Sequence, residues 1–511
     1  MPPPLKRIKA LSGKTFFLFN AFFFLSVSLF PQTGFDKNCQ EAYKAALSLR
    51  FGESRTILNT EKKLVPGNYI PVYLENYIGF MTVFIGEDQA AYKEFAATMP
   101  SRMEMIGKMD HNSPWYLYCR GNMNLQMGVV KLKFGEYRSA ATDINRAYKD
   151  LKENKNRFPD FLPTNTGLGM IHILVGIIPD SYNWLLKIFG LEGDIRLGLA
   201  EITSVSGYNG DDPAIGLLRI EALFNIALLD ASLGKDSRNA LQVIREFDKR
   251  KAAFPDSTNS LMIFIRSGIY MKSGMNDQAI ATLSQYRQDP GEYPFHYLYY
   301  QLGLAKLNRQ DADADRYLIL FLKNFHGQNY IKSAWQKLAW SSLLNGNQQK
   351  FTGYMDKIPL RGKSYVDADK QADKEAKNKV VPNITLLKAR LLFDGGYYDH
   401  ALQVMQAKNV QESLSSARDR LEYSYRLGRI YQAKGDIAHA LSFYETTIQN
   451  GTPLPYYFAA NAALQSGLIY EAKGDLVNAE KKYRLCLSMD YDEYKNSLSQ
   501  KAKAGLKRVK Q

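Results

Sequence analysis

Catalysis needs particular side chains at particular spacings, and the chain carries several partial matches to such patterns. Gly362-Lys363-Ser364 has the last three residues of a phosphate-binding loop, in which backbone N–H groups and a lysine cradle phosphate. The glycine that should open such a loop falls at Lys357, and no strand pattern precedes it. Gly13-Lys14-Thr15 fails in the same way, with Ile8 at the glycine position. Gly167-x-Gly169 lacks the third glycine of a dinucleotide-binding turn, because His172 stands there. His111, His172, His296, His326, His400 and His439 are scattered, with no HExxH and no i, i+4 pair to hold zinc. Cys39, Cys119 and Cys486 are too few and too far apart for a disulfide framework or a CxxC metal site. Asp211-Asp212 sits between Gly210 and Pro213, a setting for a turn or helix cap, and no GxSxG elbow occurs. These residues predict no catalytic centre, no metal and no cofactor. An enzyme would need acidic residues gathered in a pocket by the fold. Recognition of another molecule is the expected class.

The scaffold for such recognition is large. In 511 residues, 45% are hydrophobic and 23% charged, enough to bury an extensive core. The net charge is +15, but Lys and Arg interleave with Asp and Glu as on a solvated helical surface. Only the tail concentrates charge, with Lys495, Lys501, Lys503, Lys507, Arg508 and Lys510 and no acid after Glu493. Nucleic acid is not expected as a partner. Lys6, Arg7, Lys9 and Lys14 precede an apolar run from Phe16 to Phe30. That order matches a secretory signal, and the run is shorter than the roughly 20 residues of a spanning helix. Residues 1–34 are therefore expected to export the chain to the periplasm or envelope, with a retained anchor or secretion as alternatives. Cys39 lacks the apolar, small-residue approach of a lipidation site and is expected to begin the first helix.

The elements that would position binding residues show in a repeat. From Thr385 onward a constant offset of 39 residues aligns Gly396, Gly435 and Gly474; Ala401, Ala440 and Ala479; Leu392, Tyr431 and Tyr470; and Ala389, Gly428 and Gly467. A fixed period in this range marks a stack of helical hairpins. Gly435 and Gly474 end a helix in the left-handed conformation, Asp436 and Asp475 start the next, and Ala440 and Ala479 sit where the two cross. Gly128, Gly135, Ala140 and Ala147 fit the same template upstream, and FGEYRSA (134–140) echoes FGESRTI (51–57). Between 213 and 355 the pattern is degenerate: Gly274 with Ala279, Gly303 with Leu307, and Gly346 each close an apolar helical stretch. LGRIYQAKGDIAHALSFY (427–444) and SGLIYEAKGDLVNAEKKY (466–483) resemble the tetratricopeptide repeat. The resemblance implies an all-α helical-hairpin solenoid, a right-handed superhelix in two arrays.

The most distinctive stretch runs from Gly167 to Ile202 and is rich in glycine, and its first part, Gly167 to Pro179, is apolar apart from His172. That part is expected to be a buried helix whose Gly167, Gly169 and Gly176 permit close contact, with His172 satisfied in the core. A lipid- or membrane-surface docking element at 167–191 is the alternative. Through Gly167, Gly169, Pro179, Leu185, Leu186, Gly190, Gly193, Asp194, Gly198 and Leu199, this stretch resembles the tetratricopeptide family that includes the eukaryotic inclusion-body-clearance proteins. The array and the leading segment look more like repeat proteins exported by Gram-negative bacteria, so the resemblance implies no substrate.

The expected organisation is a signal at 1–34, N-terminal repeat-like helices at 35–160, the insert at 161–212 and degenerate repeats at 213–358. A charged linker or exposed helix follows at 359–381, where RGKSYVDADKQADKEAKNK carries ten charged residues. A C-terminal array of three repeats with a basic end helix fills 382–511. A solenoid lines its concave face with the first helix of each hairpin, the usual place for peptide capture. Register puts Asn122, Asn383, Arg390, Glu422, Tyr425, Arg429, Asn461 and Glu471 there as partner-binding candidates. The tetratricopeptide carboxylate clamp of paired Lys and Asn is absent, since Tyr425 and Arg429 occupy two of its positions. An aromatic-plus-arginine surface suits an extended peptide or folded protein partner.

Overall fold

The computed structural model describes residues 34–177, 193–233, 241–242, 244–245, 259–491 and 493–510. The signal-like run and residues 178–191 of the insert lie outside them. The described residues are helical without strands, and successive helices pair as antiparallel hairpins. Through the first half these are α1 (Lys37–Leu47) with α2 (Phe51–Leu64), α3 (Ile70–Gly86) with α4 (Gln89–Ile106), α5 (Pro114–Lys133) with α6 (Tyr137–Arg157), and α7 (Thr164–Gly176) with α8 (Ile195–Ser206). The long α9 (Pro213–Leu233) packs on α8, and then α10 (Ser260–Lys272) pairs with α11 (Asn276–Leu283) and α12 (Tyr297–Arg309) with α13 (Ala314–Asn324). Next come α14 (Ile331–Leu344) with α15 (Gln348–Met355), the single α16 (Asp367–Lys377), and α17 (Ile384–Asp394) with α18 (Tyr398–Met405). The chain ends with α19 (Ala417–Ala433) and α20 (Ile437–Gly451), α21 (Tyr457–Ala472) and α22 (Leu476–Ser488), and the end helix α23 (Lys495–Val509).

One backbone device closes most first helices. Gly135, Gly274, Gly346, Gly396, Gly435 and Gly474 all have positive φ, which glycine adopts without a Cβ clash. The next N–H then reaches back to a carbonyl five residues earlier, Asp436 to Tyr431 at 2.9 Å and Asp475 to Tyr470 at 3.0 Å, satisfying acceptors the helix leaves bare. Asp436 and Asp475 cap the following helices by accepting from His439 N and Asn478 N. Seven residues before each of these glycines stands a small residue: Gly128, Ser267, Ala339, Ala389, Gly428 or Gly467. A Cβ on Gly428 would meet the Tyr444 ring at 2.6 Å, and one on Gly467 would meet Tyr483 at 2.6 Å.

This spacing corrects two sequence expectations. Gly303 does not close its helix: it lies inside α12 against Leu318, and Gln310, with φ of 66°, makes the left-handed turn. The echo of FGEYRSA in FGESRTI is out of register. Leu49, with φ of 58°, makes the first turn, Gly52 sits within α2, and Ser54 fills the crossing position, where its Oγ donates to Ala42 O at 2.7 Å. Both misreadings follow from treating glycine as the only residue able to occupy the turn.

The charged segment 359–381 is not exposed throughout: its helix buries one face. Within α16, Asp369 and Ala372 are fully buried and Glu375 nearly so. Its acids are matched to α14: Asp369 accepts from Ser333 N at 2.8 Å and Tyr330 N at 2.5 Å, Asp373 pairs with Lys332 at 2.8 Å, and Glu375 accepts from Gln336 Nε2 at 2.5 Å. Such partners compensate the desolvation that composition alone would count against burial. Burial still pushes the Asp369 carboxyl up to about 6.

The hairpins also depart from a string in which each unit touches only its neighbours. Tyr293 N donates to Leu49 O at 2.8 Å, Arg50 pairs with Asp289 at 2.9 Å, and Glu87 accepts from Asn329 N at 3.0 Å. One apolar core accordingly runs from Phe35 to Ala305. The C-terminal hairpins lean on this body where Gly396 meets Gly274, so closely that a Cβ on Gly396 would lie 2.1 Å from Gly274 O.

The two glycine roles are separable. Gly435→Ala meets open space and should lose about 1–2 kcal/mol through backbone strain alone. Gly428→Ala should lose about 1–3 kcal/mol by overpacking, and adding Tyr444→Leu should reduce the penalty of Gly428→Ala but not that of Gly435→Ala. Urea denaturation of the single and double variants measures both.

Candidate partner-binding groove

Helices α17, α19 and α21 are first helices of successive hairpins and lie side by side, with α23 packed across the end of α21. The small residue at each crossing must face its own second helix. At about 100° per residue, the residues one position after it and three before it turn toward the inner face. Arg390 follows Ala389, Arg429 follows Gly428, and Tyr425 precedes Gly428 by three. These side chains meet in a cavity of 230 Å³ whose lining includes Phe393, Asn461 and, from α23, Lys501.

Cations stacked on rings order this face. The Arg390 guanidinium lies 4.7 Å from the centre of the Trp340 ring, and Lys337 Nζ lies 3.7 Å from that residue's ring. Arg429 lies 4.9 Å from the Phe393 ring and donates from Nη1 to Tyr425 Oη at 3.0 Å. Asn461 Nδ2 donates to the same hydroxyl at 2.7 Å. Tyr425 Oη thus accepts twice, which leaves its own proton for a third partner.

Charge is unevenly neutralised. Glu422 is buried between Arg418, at 3.2 Å, and Arg426, whose Nε donates to it at 2.8 Å. Burial opposes its ionisation, but Arg426, Arg418 and Arg390 hold its carboxyl below the usual range. Arg390 has Asp394 only at 3.9 Å. Among the described residues, Arg429, Lys337 and Lys501 have no carboxylate at ion-pair distance. Burial, reinforced by the Arg390 charge, brings the Lys337 ammonium down to about 7.

Four of the residues expected from sequence, Arg390, Tyr425, Arg429 and Asn461, come together here. Glu422 is adjacent but spent on its arginines. Asn383 caps α17, accepting from Thr385 N at 3.0 Å and donating to Ser413 O at 2.8 Å. Glu471 anchors the end helix by accepting from Arg508 Nη2 at 2.7 Å and from Tyr483 Oη. Asn122 lies far off in sequence on α5, donating to Tyr118 O at 2.9 Å beside Gly167. Sequence reasoning missed Lys337 and Trp340, although Trp340 follows the small Ala339 as Arg390 follows Ala389. Lys501 belongs to no repeat column and had no such signal.

The described helices of the glycine-rich stretch pack closely against each other. Helices α7 and α8 cross at Gly169 and Gly198, where a Cβ on either would lie 2.5 Å from the other's carbonyl oxygen. His172 Nδ1 donates to Glu201 Oε2 at 2.6 Å, the satisfied core histidine expected. The parts of the proposed lipid-docking element at 178–191 lie outside the described residues, and no described helix is long and apolar enough to cross a membrane. Among the described residues no group of three His, Cys, Asp or Glu is placed to hold a metal ion.

The family model of Iml2/Tetratricopeptide repeat protein 39 matches residues 91–311, a span that includes the glycine-rich hairpin. No curated protein matches the chain. Among solved structures, the crystal structure of the APC/C hetero-tetramer Cut9-Hcn1 is similar at 10% identity, covering 97% of this chain and 99% of that one with a TM-score of 0.25.

Removing the hydroxyl that joins two hairpins tests the geometry of the groove. Tyr425→Phe leaves Asn461 Nδ2 and Arg429 Nη1 without their acceptor and should cost about 0.5–1.5 kcal/mol in urea denaturation, with helical circular dichroism unchanged.

Proposed function

We propose that this chain is an interaction scaffold that holds an extended, anionic segment of a partner protein in the groove between α17, α19, α21 and α23. The observation that carries this reading is the gathering of Arg390, Arg429 and Lys501 around one cavity whose lining carries the carboxylate of Asp394, with Lys337 stacked beside Arg390 on the Trp340 ring. Cations held there on rings are already oriented, so an incoming carboxylate gains charge-assisted hydrogen bonds without ordering long side chains. The rings offer apolar and stacking surface to the rest of the segment. The Iml2/Tetratricopeptide repeat protein 39 match supports repeat-type recognition over catalysis, and neither histidine nor cysteine lines the groove.

We further propose that the chain works after export, in the periplasm or envelope. The support is the basic run ahead of Phe16–Phe30 and its likeness to a secretory signal.

A fluorescent peptide of alternating Glu and Tyr, compared by anisotropy with its Gln-for-Glu counterpart, tests the binding reading. The acidic peptide should bind about tenfold or more tightly, and Arg429→Glu should remove that preference. Lys337 adds a pH signature. An anion favours the charged lysine, so binding takes up a proton above pH 7, and affinity should fall as pH rises from 6 to 8.5. Lys337→Gln should flatten this slope without abolishing binding. Equal affinity for the two peptides would refute the charge reading.

A further inference from the structure

A second cavity, of 240 Å³, lies in the N-terminal body where α3, α9 and α10 meet residues 295–297 and 325–330. It exceeds the roughly 150 Å³ that admits benzene into an apolar protein cavity. Its wall is aromatic, with Tyr77 and Phe80 from α3, Phe224 from α9, Phe264 from α10, and Phe295 and Tyr297.

The polar groups in this wall are not balanced. Lys133 is neutralised by Glu87 at 2.8 Å and also donates to Phe84 O at 2.7 Å. Glu87 takes further bonds from Asn329 N at 3.0 Å and Asn329 Nδ2 at 2.8 Å. Glu221 differs. Its Oε2 accepts from Tyr43 Oη at 2.5 Å, and no cation pairs with it among the described residues. Burial drives its carboxyl up, opposed by the Tyr43 bond. Asn329 Oδ1 is buried and receives no donor. Its amide orientation is fixed, because turning it over would set Oδ1 against the Glu87 carboxylate.

We propose that this cavity binds a primary ammonium on an apolar stem, with the charge at Glu221 and the hydrocarbon among the rings. The unmet needs of the wall are an acceptor with no donor and a carboxylate with no cation, and an ammonium group supplies donors and positive charge together. Aromatic faces attract the same charge through their quadrupoles, most strongly when water is excluded. A neutral chain of equal length would fill the volume but leave Glu221 unpaired, and a fatty carboxylate would set two anions side by side. The same chemistry is presented by a free alkylamine and by a partner's lysine side chain.

The test is calorimetric titration of the full chain with hexylammonium, 1-hexanol and hexanoate. Hexylammonium should bind about tenfold or more tightly than hexanol, with hexanoate weakest. In folded Glu221→Gln, checked by circular dichroism and melting, hexylammonium should fall to the affinity of hexanol. Absence of hexylammonium binding, equal affinities in the native chain, or a preference that survives in the folded variant would each overturn the proposal. If the variant does not fold, the comparison of the three probes on the native chain decides. A capped Ala-Lys-Ala peptide separates the sources: binding comparable to hexylammonium assigns the site to a partner's lysine, and failure beside a positive hexylammonium result assigns it to a free amine.

Discussion

Everything on the inner face depends on helices crossing at a point where one of them has almost no side chain. Gly428 against Tyr444 and Gly467 against Tyr483 bring each pair of axes close enough for a full tyrosine ring to be buried at the contact. Because the crossing residue must point at its partner helix, the residues beside it are committed to the opposite, concave side. Arg390, Tyr425 and Arg429 reach one groove for this reason, although Arg390 belongs to a different hairpin from the other two. A left-handed residue seven positions later then turns the chain sharply enough for the second helix to return along the first.

That geometry explains which features were legible in the sequence. Gly396, Gly435 and Gly474 stand out because no other residue meets the turn so cheaply, and a fixed offset between them exposes the period. Where Leu49 and Gln310 adopt the same conformation, the surrounding contacts hold a strained residue in place and the pattern fades from view. Trp340 was hidden for this kind of reason: its hairpin keeps Ala339 and Gly346 but carries Phe351 where the better repeats carry alanine. Glu471 and Asn383 had the right register, but register gives direction and not occupancy. The end helix claims Glu471 and the start of α17 claims Asn383, and neither demand is visible in a repeat column.

The larger departure lies between distant segments. A helix as charged as Asp367–Lys377 packs because Asp369, Asp373 and Glu375 each find a specific partner on α14, and pairing across about 40 residues leaves no trace in composition. Glu87 with Asn329 and Arg50 with Asp289 likewise fold the first hairpins onto the middle of the chain, giving a body with one continuous core. The C-terminal hairpins attach to this body through Gly274 and Gly396. Consequently the two recesses have different characters: an aromatic chamber whose Glu221 has no cation partner among the described residues, and an open cationic groove where the hairpins still stack in sequence.

Hydrogen exchange on the full chain, with and without the acidic Glu-Tyr peptide, tests most directly whether the stacked first helices form the binding face. Binding on the stacked first helices predicts added protection concentrated in α17, α19, α21 and α23. Protection that instead appears on the outer helices α18, α20 and α22, with the first helices unchanged, would contradict it.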